Sequence, residues 1–276
     1  MIPKVIHYCW FGGKPIPTNL NNYIETWKKH CPNYEFKLWN EDSFDVNSHC
    51  FTKSAYEYKK YAFVSDYVRV YALHYYGGIY LDTDVEIKKN IDEFLTHEAF
   101  TGFEAKGSPF TALWGSIPKH SLTKKMLNYY DGKIFTPSQT PNTLTVSNIL
   151  VKDFKIDPDK NHLQIGDDNT NKIHIYPAEY FCLDISPNYT THHFSGSWIN
   201  KNTSEKRYIH NIYYTDKLFE EANSSSTIKA IAFRISFKDM LKMFILNVYF
   251  KLVPKQIKKL LKLRKNIFNK HKIKNL

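Results

Sequence analysis

The segment Ser65-Asp66-Tyr67-Val68-Arg69-Val70-Tyr71-Ala72-Leu73-His74-Tyr75-Tyr76-Gly77-Gly78-Ile79-Tyr80-Leu81-Asp82-Thr83-Asp84 constrains this chain more than any other. Residues 62–76 have helical spacing, with Val64, Val68, Tyr71, Ala72 and Tyr75 on an apolar side. Gly77-Gly78 is a natural stop for that helix. A short strand over 79–81 then delivers Asp82 and Asp84. Side chains alternate along a strand, so the two carboxylates face the same way. Paired oxygens just beyond a buried strand suit a hard divalent cation.

An Asp-x-Asp triplet alone says little, because about one arises by chance in a chain of this size. A second, Asp157-Pro-Asp159, reads as a loop. The context of the first sets it apart. Asp66 and Arg69 stand three apart and share a helix face with Leu73 and Tyr76. Arginine is scarce: before residue 227 only Arg69 and Arg207 occur. A lone guanidinium in a buried helix needs a carboxylate or phosphate partner. An Asp66–Arg69 pair within the helix, with no ligand, is the simpler alternative.

The rest of the chain surrounds this unit with alternating elements. Residues 4–10 read as a buried strand ending at Phe11-Gly12-Gly13. Residues 18–30 read as a helix through Leu20, Tyr23, Ile24 and Trp27, with Thr18 as N-cap and Cys31-Pro32 as its stop. Further strands are expected over 34–39, 100–103, 112–117 and 172–176, and helices over 121–130 and 143–153. Strands alternating with helices predict an α/β fold with a mainly parallel sheet. Ligands in such sheets sit at the carboxyl ends of the strands, which is where Trp10, Asp82 and Asp84 fall.

Charge divides the chain in two. The whole has 38 basic and 27 acidic residues, a net charge of +11. Residues 227–276 hold fourteen Lys or Arg and one acid, a net of +13, which leaves 24 − 26 = −2 for residues 1–226. The first 226 residues are expected to form one domain, since 42% apolar and 16% aromatic content excludes disorder. Residues 227–276 read as a basic amphipathic tail. Ile257, Leu260, Leu261, Ile267 and Phe268 lie near one face among lysines, and Pro254 separates this from an earlier stripe through Phe237 and Phe244. Such helices lie on anionic membrane surfaces. Lysine-rich character without stacking aromatics on the basic face argues against nucleic acid. The most apolar run, residues 240–250, is too short to span a bilayer, and no secretory signal is visible. Four cysteines without a CxxC pair suggest reduced thiols and a cytoplasmic protein.

Three ordered motifs carry a family resemblance. The opening Ile2-Pro3-Lys4-Val5-Ile6-His7-Tyr8-Cys9-Trp10-Phe11-Gly12-Gly13, the segment from Asp66 to Asp84, and His192-His193-Phe194-Ser195-Gly196-Ser197-Trp198 resemble glycosyltransferase family 32. That family comprises sugar-nucleotide transferases with a DXD motif, and is distantly similar to the glucosyltransferase domains of clostridial toxins. The resemblance implies a GT-A fold that binds a nucleotide-sugar donor, UDP-linked by preference, through Mn2+ or Mg2+. Trp10 would stack on the base. Asp66 and Arg69 would hold sugar hydroxyls and the diphosphate. Asp82 would contact the ribose and share the cation, and Asp84 would bind it directly. Tyr80 would pack on the nucleotide unless it is a core residue. His192 or His193 would complete the metal site, with His192 favoured. Ser197 and Trp198 would close over the diphosphate, and Glu104 would lie near the acceptor.

The resemblance further implies transfer with retained anomeric configuration. Taken with the tail, it implies a lipid-linked oligosaccharide acceptor at the inner face of a bacterial membrane, as in capsular or surface polysaccharide assembly. Three other readings compete, the first being a glycosyltransferase that modifies a protein acceptor. Leu81-Asp82-Thr83-Asp84-Val85, with Gly166-Asp167-Asp168 as a later acidic motif, fits a haloacid-dehalogenase-like phosphatase. A non-catalytic membrane- or nucleic-acid-binding protein is the third, with the tail as its working part.

Overall fold

The computed structural model describes residues 1–104, 107–140, 142–184 and 187–195. Ser197, Trp198 and the tail over 227–276 lie outside these residues. The chain begins with strand β1 (Val5–Cys9), crosses through helix α1 (Thr18–His30) and returns as β2 (Glu35–Trp39). Helices α2 (Cys50–Glu57) and α3 (Tyr61–Tyr76) lead into β3 (Gly78–Leu81). After β4 (Val85–Ile87) come β5 (Ala99–Gly102), β6 (Leu113–Ser116), α4 (Ser121–Tyr130) and α5 (Asn142–Lys152). The described part ends with β7 (Gln164–Asp167), β8 (Lys172–Tyr176), the single turn α6 (Ala178–Phe181) and β9 (Thr190–His192).

Seven strands form one sheet in the order β2-β1-β3-β6-β5-β8-β7. β1 pairs in parallel with β2 and β3, and β5 in parallel with β8, while β3–β6, β5–β6 and β7–β8 are antiparallel. Five strands, β1, β2, β3, β5 and β8, therefore point one way. The α/β architecture expected from the alternating elements is present. Its first half matters most for function. From β1 the chain crosses to β2 on one side, then returns to β3 on the other. Right-handed crossovers in opposite directions place α1 and α3 on opposite faces of the sheet. The crevice where the strand order reverses, at the carboxyl ends of β1 and β3, is where open α/β sheets bind ligands.

Each face has its own packing. On one, Ile24 and Trp27 of α1 join Ile6, Ile79, Leu81 and Phe100 in the main core. On the other, Val64, Val68 and Ala72 of α3 are fully buried. Filling α3's buried side takes 3.6-residue periodicity, and the apolar spacing of its sequence supplies it.

The junction between α3 and β3 is tightly specified. Gly77 has φ +66, and a Cβ there would meet Pro118 at 2.6 Å. Gly78 has φ +103, and its Cβ would meet the Val5 carbonyl at 2.6 Å. Only glycine lets the helix end in a left-handed turn while the backbone comes this close to β1. His7 fastens the same turn from below. Its Nδ1 accepts from Trp39 Nε1 at 3.2 Å, so its Nε2 carries the proton and donates to the Gly77 carbonyl at 2.7 Å. Burial lowers the His7 pKa to about 4, opposed in part by the bond to Gly77, so the imidazole stays neutral.

Several local details differ from the expectations. Thr18 does not cap α1. Pro17 occupies the cap position with extended backbone, no side chain bonds the helix start, and Thr18 is the first helical residue. Helix α2 was not anticipated. His49 caps it by accepting from the Phe51 amide, a role histidine seldom signals in sequence. β4, β7, β9 and α6 were also missed, each being five residues or fewer. Strands β3, β5 and β6 are as short but buried throughout, and their apolar residues mark them, whereas β7 and β9 are largely polar. Asp157-Pro-Asp159 is a turn, tied to Lys160 at 2.9 Å.

Candidate active site

The acidic pair leaves β3 through a tight turn closed by Val85 N–H donating to the Asp82 carbonyl at 3.0 Å. The chain then enters β4, which pairs antiparallel with β9 so that Val85 stands opposite His192. This two-stranded ribbon is docked on α1. Trp27 Nε1 donates to the Val85 carbonyl at 2.7 Å, and Ile87 N–H donates to Thr26 Oγ1 at 3.0 Å. The ribbon carries a histidine far away in sequence onto the acids. Ligand atoms of Asp82, Asp84 and His192 all lie within 4.8 Å of one another.

Asp84 is enclosed by the end of β9. Its Oδ1 lies 3.5 Å from His192 Nε2, and its Oδ2 accepts the Ser195 N–H at 2.6 Å. Its backbone carbonyl accepts the His193 N–H at 3.0 Å. Burial by itself would raise the Asp84 pKa. The His192 imidazole and the Ser195 amide outweigh it and hold the carboxyl well below the usual range.

The two histidines separate by their partners. His192 faces Asp84, whereas His193 Nε2 lies 2.9 Å from Glu86 Oε2 and its ring stacks on Tyr23 at 4.4 Å. Their opposite orientation follows from strand alternation, and the contacts decide which one meets the acids. His192 joins the acids, and His193 anchors the ribbon.

Arg69 sits at the floor of the site with 9% of its side chain exposed. It contacts Asp66 at 3.0 Å and Asp82 at 3.3 Å, so the pair within the helix exists and a second carboxylate extends it. Its guanidinium carbon lies 4.7 Å from the centre of the Tyr80 ring. Nε of Arg69 is buried and has no hydrogen-bond partner among the described residues. Asp66 caps the start of α5, its Oδ2 accepting the Asn142 N–H at 3.2 Å while Asn142 Nδ2 donates to the Asp66 carbonyl at 2.9 Å. Burial pushes the Asp66 pKa up to about 6, against the pull of Arg69 and of the Asn142 amide. Sequence reasoning assigned no role to Asn142. A polar residue at the first turn of an expected helix was the available signal.

Tyr80 is 2% exposed and lies beneath Arg69. It supports the guanidinium from the core, which matches the alternative that the expectation left open. Trp10 is half-buried, and its Nε1 donates to the Lys14 carbonyl at 2.6 Å. It lines an open cleft of about 410 Å³ with Leu38, Asn40, Glu41 and Tyr56. Glu41 Oε1 shapes that cleft by accepting from the Gly12 amide at 2.6 Å and from the Tyr56 hydroxyl at 2.8 Å. Asp82, Asp84 and His192 do not line it. Glu104 follows β5 and its neighbour Phe103; its amide donates to the Ser108 carbonyl at 2.9 Å.

The acids of the phosphatase reading are not brought together. Asp167 ends β7, four strands from β3 in the sheet, or about 19 Å at ordinary strand spacing. Asp168 faces Lys125 at 3.6 Å and accepts from the Asn171 amide at 3.0 Å.

The donor set of two carboxylates and one imidazole suits a divalent cation such as Mn2+ or Mg2+. The residues present therefore fit the metal that a DXD motif implies.

Known proteins resemble the chain in this region. Residues 17–101 match a family described as a glycosyltransferase sugar-binding region containing DXD motif. An uncharacterized glycosyltransferase of Acanthamoeba polyphaga mimivirus is 35% identical over 138 residues, covering 44% of this chain and 53% of that protein. A mannosyl phosphorylinositol ceramide synthase of Saccharomyces cerevisiae is 29% identical over 150 residues, covering 51% of this chain and 38% of that protein. The chain thus spans about half the length of these relatives or less. Among solved structures, one titled PaToxG Glycosyltransferase aligns at 19% identity over 56% of this chain and 70% of that one, with a TM-score of 0.41. The matched span holds Asp66, Arg69, Asp82 and Asp84, and over residues 17–101 the chain is similar to the sugar-binding region of DXD-containing glycosyltransferases.

Proposed function

We propose that the protein is a metal-dependent, retaining glycosyltransferase that moves a hexose from a nucleotide sugar to a lipid-linked acceptor. The convergence of Asp82, Asp84 and His192 carries this reading. When bound, the cation supplies charge neutralisation for the departing diphosphate. Arg69 adds a fixed positive charge from the floor of the site, and its unpartnered Nε is a donor left for a phosphate or hydroxyl oxygen. Asn142 Oδ1, equally buried and unpartnered among the described residues, is an acceptor left for a sugar hydroxyl. Trp10 offers its face to the base in the neighbouring cleft.

The donor is a UDP-sugar by family resemblance. The yeast relative's name contains a mannosyl group and a ceramide lipid, which supports mannose among the candidate hexoses and a lipid among the acceptors. Membrane attachment through residues 227–276 at the inner face of a bacterial membrane, and service in surface polysaccharide assembly, belong to the same proposal. No helix among the described residues is long and apolar enough to cross a membrane.

The test is a thermal-shift panel of UDP- and GDP-sugars with and without Mn2+. One nucleotide sugar raising Tm only when Mn2+ is present is expected; no response to any donor would remove the reading. Deleting residues 227–276 is expected to release the protein from anionic liposomes and to preserve the Mn2+-dependent shift. Liposome binding that survives the deletion refutes the anchor.

A further inference from the structure

The turn that encloses Asp84 contains a residue in an unusual conformation. Phe194 has φ +47, a left-handed backbone that bulky side chains rarely adopt. Strain of this kind persists where the surroundings over-determine it, and it clusters at functional sites. Among the described residues, two contacts accompany it. The Phe194 ring is 8% exposed and lies 4.0 Å from the His192 ring, tilted by 36°. The next residue, Ser195, donates its N–H to Asp84 Oδ2 at 2.6 Å.

These facts are linked through one dihedral angle. β9 ends at His192, and an extended chain would carry residues 194 and 195 onward, away from β4. The left-handed step at Phe194 turns the chain back, and the Ser195 amide then points at the carboxylate. Successive amides around such a step form a concave donor surface for anions. In the same step the Phe194 ring packs on His192 and covers it. Three of the four residues 192–195 thus contact Asp84, and the fourth sets their direction.

The geometry points to Phe194 as a positioning residue that holds Asp84 and His192 as one preorganised unit. This rests on the proposed metal-dependent reading for its functional meaning, though not for its geometry. Phe194 touches neither donor nor acceptor in this role. It acts by holding two ligands at one separation, so that cation binding costs no rearrangement of the turn.

The experiment uses the full chain and two variants, Phe194→Ala and Phe194→Tyr. Phe194-Ser195 is the only Phe-Ser pair in the sequence, so carbonyl-13C phenylalanine with 15N serine labels a single amide. Equivalent labelling serves the variants. In metal-free protein, hydrogen exchange at Ser195 is expected to be at least tenfold faster in Phe194→Ala and within twofold of wild type in Phe194→Tyr. Exchange as slow in Phe194→Ala as in wild type overturns the proposal.

A second readout is Mn2+ affinity, measured by the electron paramagnetic resonance of free Mn2+. The dissociation constant is expected to rise about tenfold in Phe194→Ala and to stay near wild type in Phe194→Tyr. Unchanged affinity in Phe194→Ala refutes the positioning of the metal ligands. A wild-type protein that binds no Mn2+ removes the metal-dependent reading instead, and the amide exchange still decides the part played by Phe194.

Discussion

Asp84→Ala is expected to lower sugar transfer by a factor on the order of 10³ while leaving the protein folded. Three observations combine to give this size. Asp84 supplies a ligand oxygen to the Asp82–Asp84–His192 group. It is the acceptor for Ser195 and the partner of His192, so its loss loosens the whole end of β9. Charge stabilisation at a leaving group is commonly the largest single contribution to such catalysis, with one preorganised contact worth 10²–10³. Asp84→Asn separates the two functions: it keeps an acceptor for the Ser195 amide and loses the charge that binds a cation. Transfer is therefore expected to fall almost as far in Asp84→Asn, with the Ser195 amide still protected. Steady-state kinetics on both variants checks this, and near-normal turnover in Asp84→Ala would end the assignment.

Arg69→Met is expected to damage stability as much as activity. The guanidinium is buried and shared between Asp66 and Asp82. Removing one partner of a buried ionic cluster leaves uncompensated charge, which costs about 3–5 kcal/mol. For a domain of this size that corresponds to a drop in Tm of about 10 °C. The pH dependence has a definite sign. Asp66 has a folded-state pKa of about 6, above its usual 3.8, mainly because of burial. A carboxyl with a raised folded-state pKa favours folding in its protonated form, and that advantage is lost as pH rises from about 4 through its folded value. Without Arg69 the Asp66 pKa rises further. The stability deficit of Arg69→Met is therefore expected to be smaller at pH 5 than at pH 7.5, as read by urea unfolding. Adding Asp66→Asn is expected to recover part of the loss at pH 7.5. A deficit that does not depend on pH would assign the loss to packing against Tyr80 instead.

The legible parts of the sequence were those governed by local rules. Residues 62–76 announce a helix, found as Tyr61–Tyr76, because their apolar spacing, the Asp66–Arg69 pair and the Gly77-Gly78 stop agree with one another. Thr18–His30, Ser121–Tyr130 and Lys172–Tyr176 were legible to the residue for the same reason. The illegible parts were made by contacts across long sequence separation. Nothing near His193 shows that Tyr23 and Glu86 will hold it, yet those contacts distinguish it from His192. Tyr80 faces the side of Asp82 by strand alternation, and sequence cannot reveal that Arg69 will cover it. Asn142 and Phe194 owe their places to Asp66 and Asp84, 76 and 110 positions earlier in the chain. Chemistry-bearing residue types were readable, whereas their supporting neighbours needed the fold.

The pairing of β4 with β9 also sets an order in time. His192 is made 192 − 84 = 108 residues after Asp84. At synthesis rates of about 5–20 residues per second, the acids exist for roughly 5–20 s before their histidine does. The β2-β1-β3 half of the sheet, with Asp66, Arg69 and the DXD acids, is complete long before then. A nascent chain therefore holds the floor of the site without its third ligand or the turn around Asp84. A chain broken off anywhere before residue 192 lacks both as well. On the proposed metal-dependent reading, competence at this centre would therefore require translation to pass the end of β9.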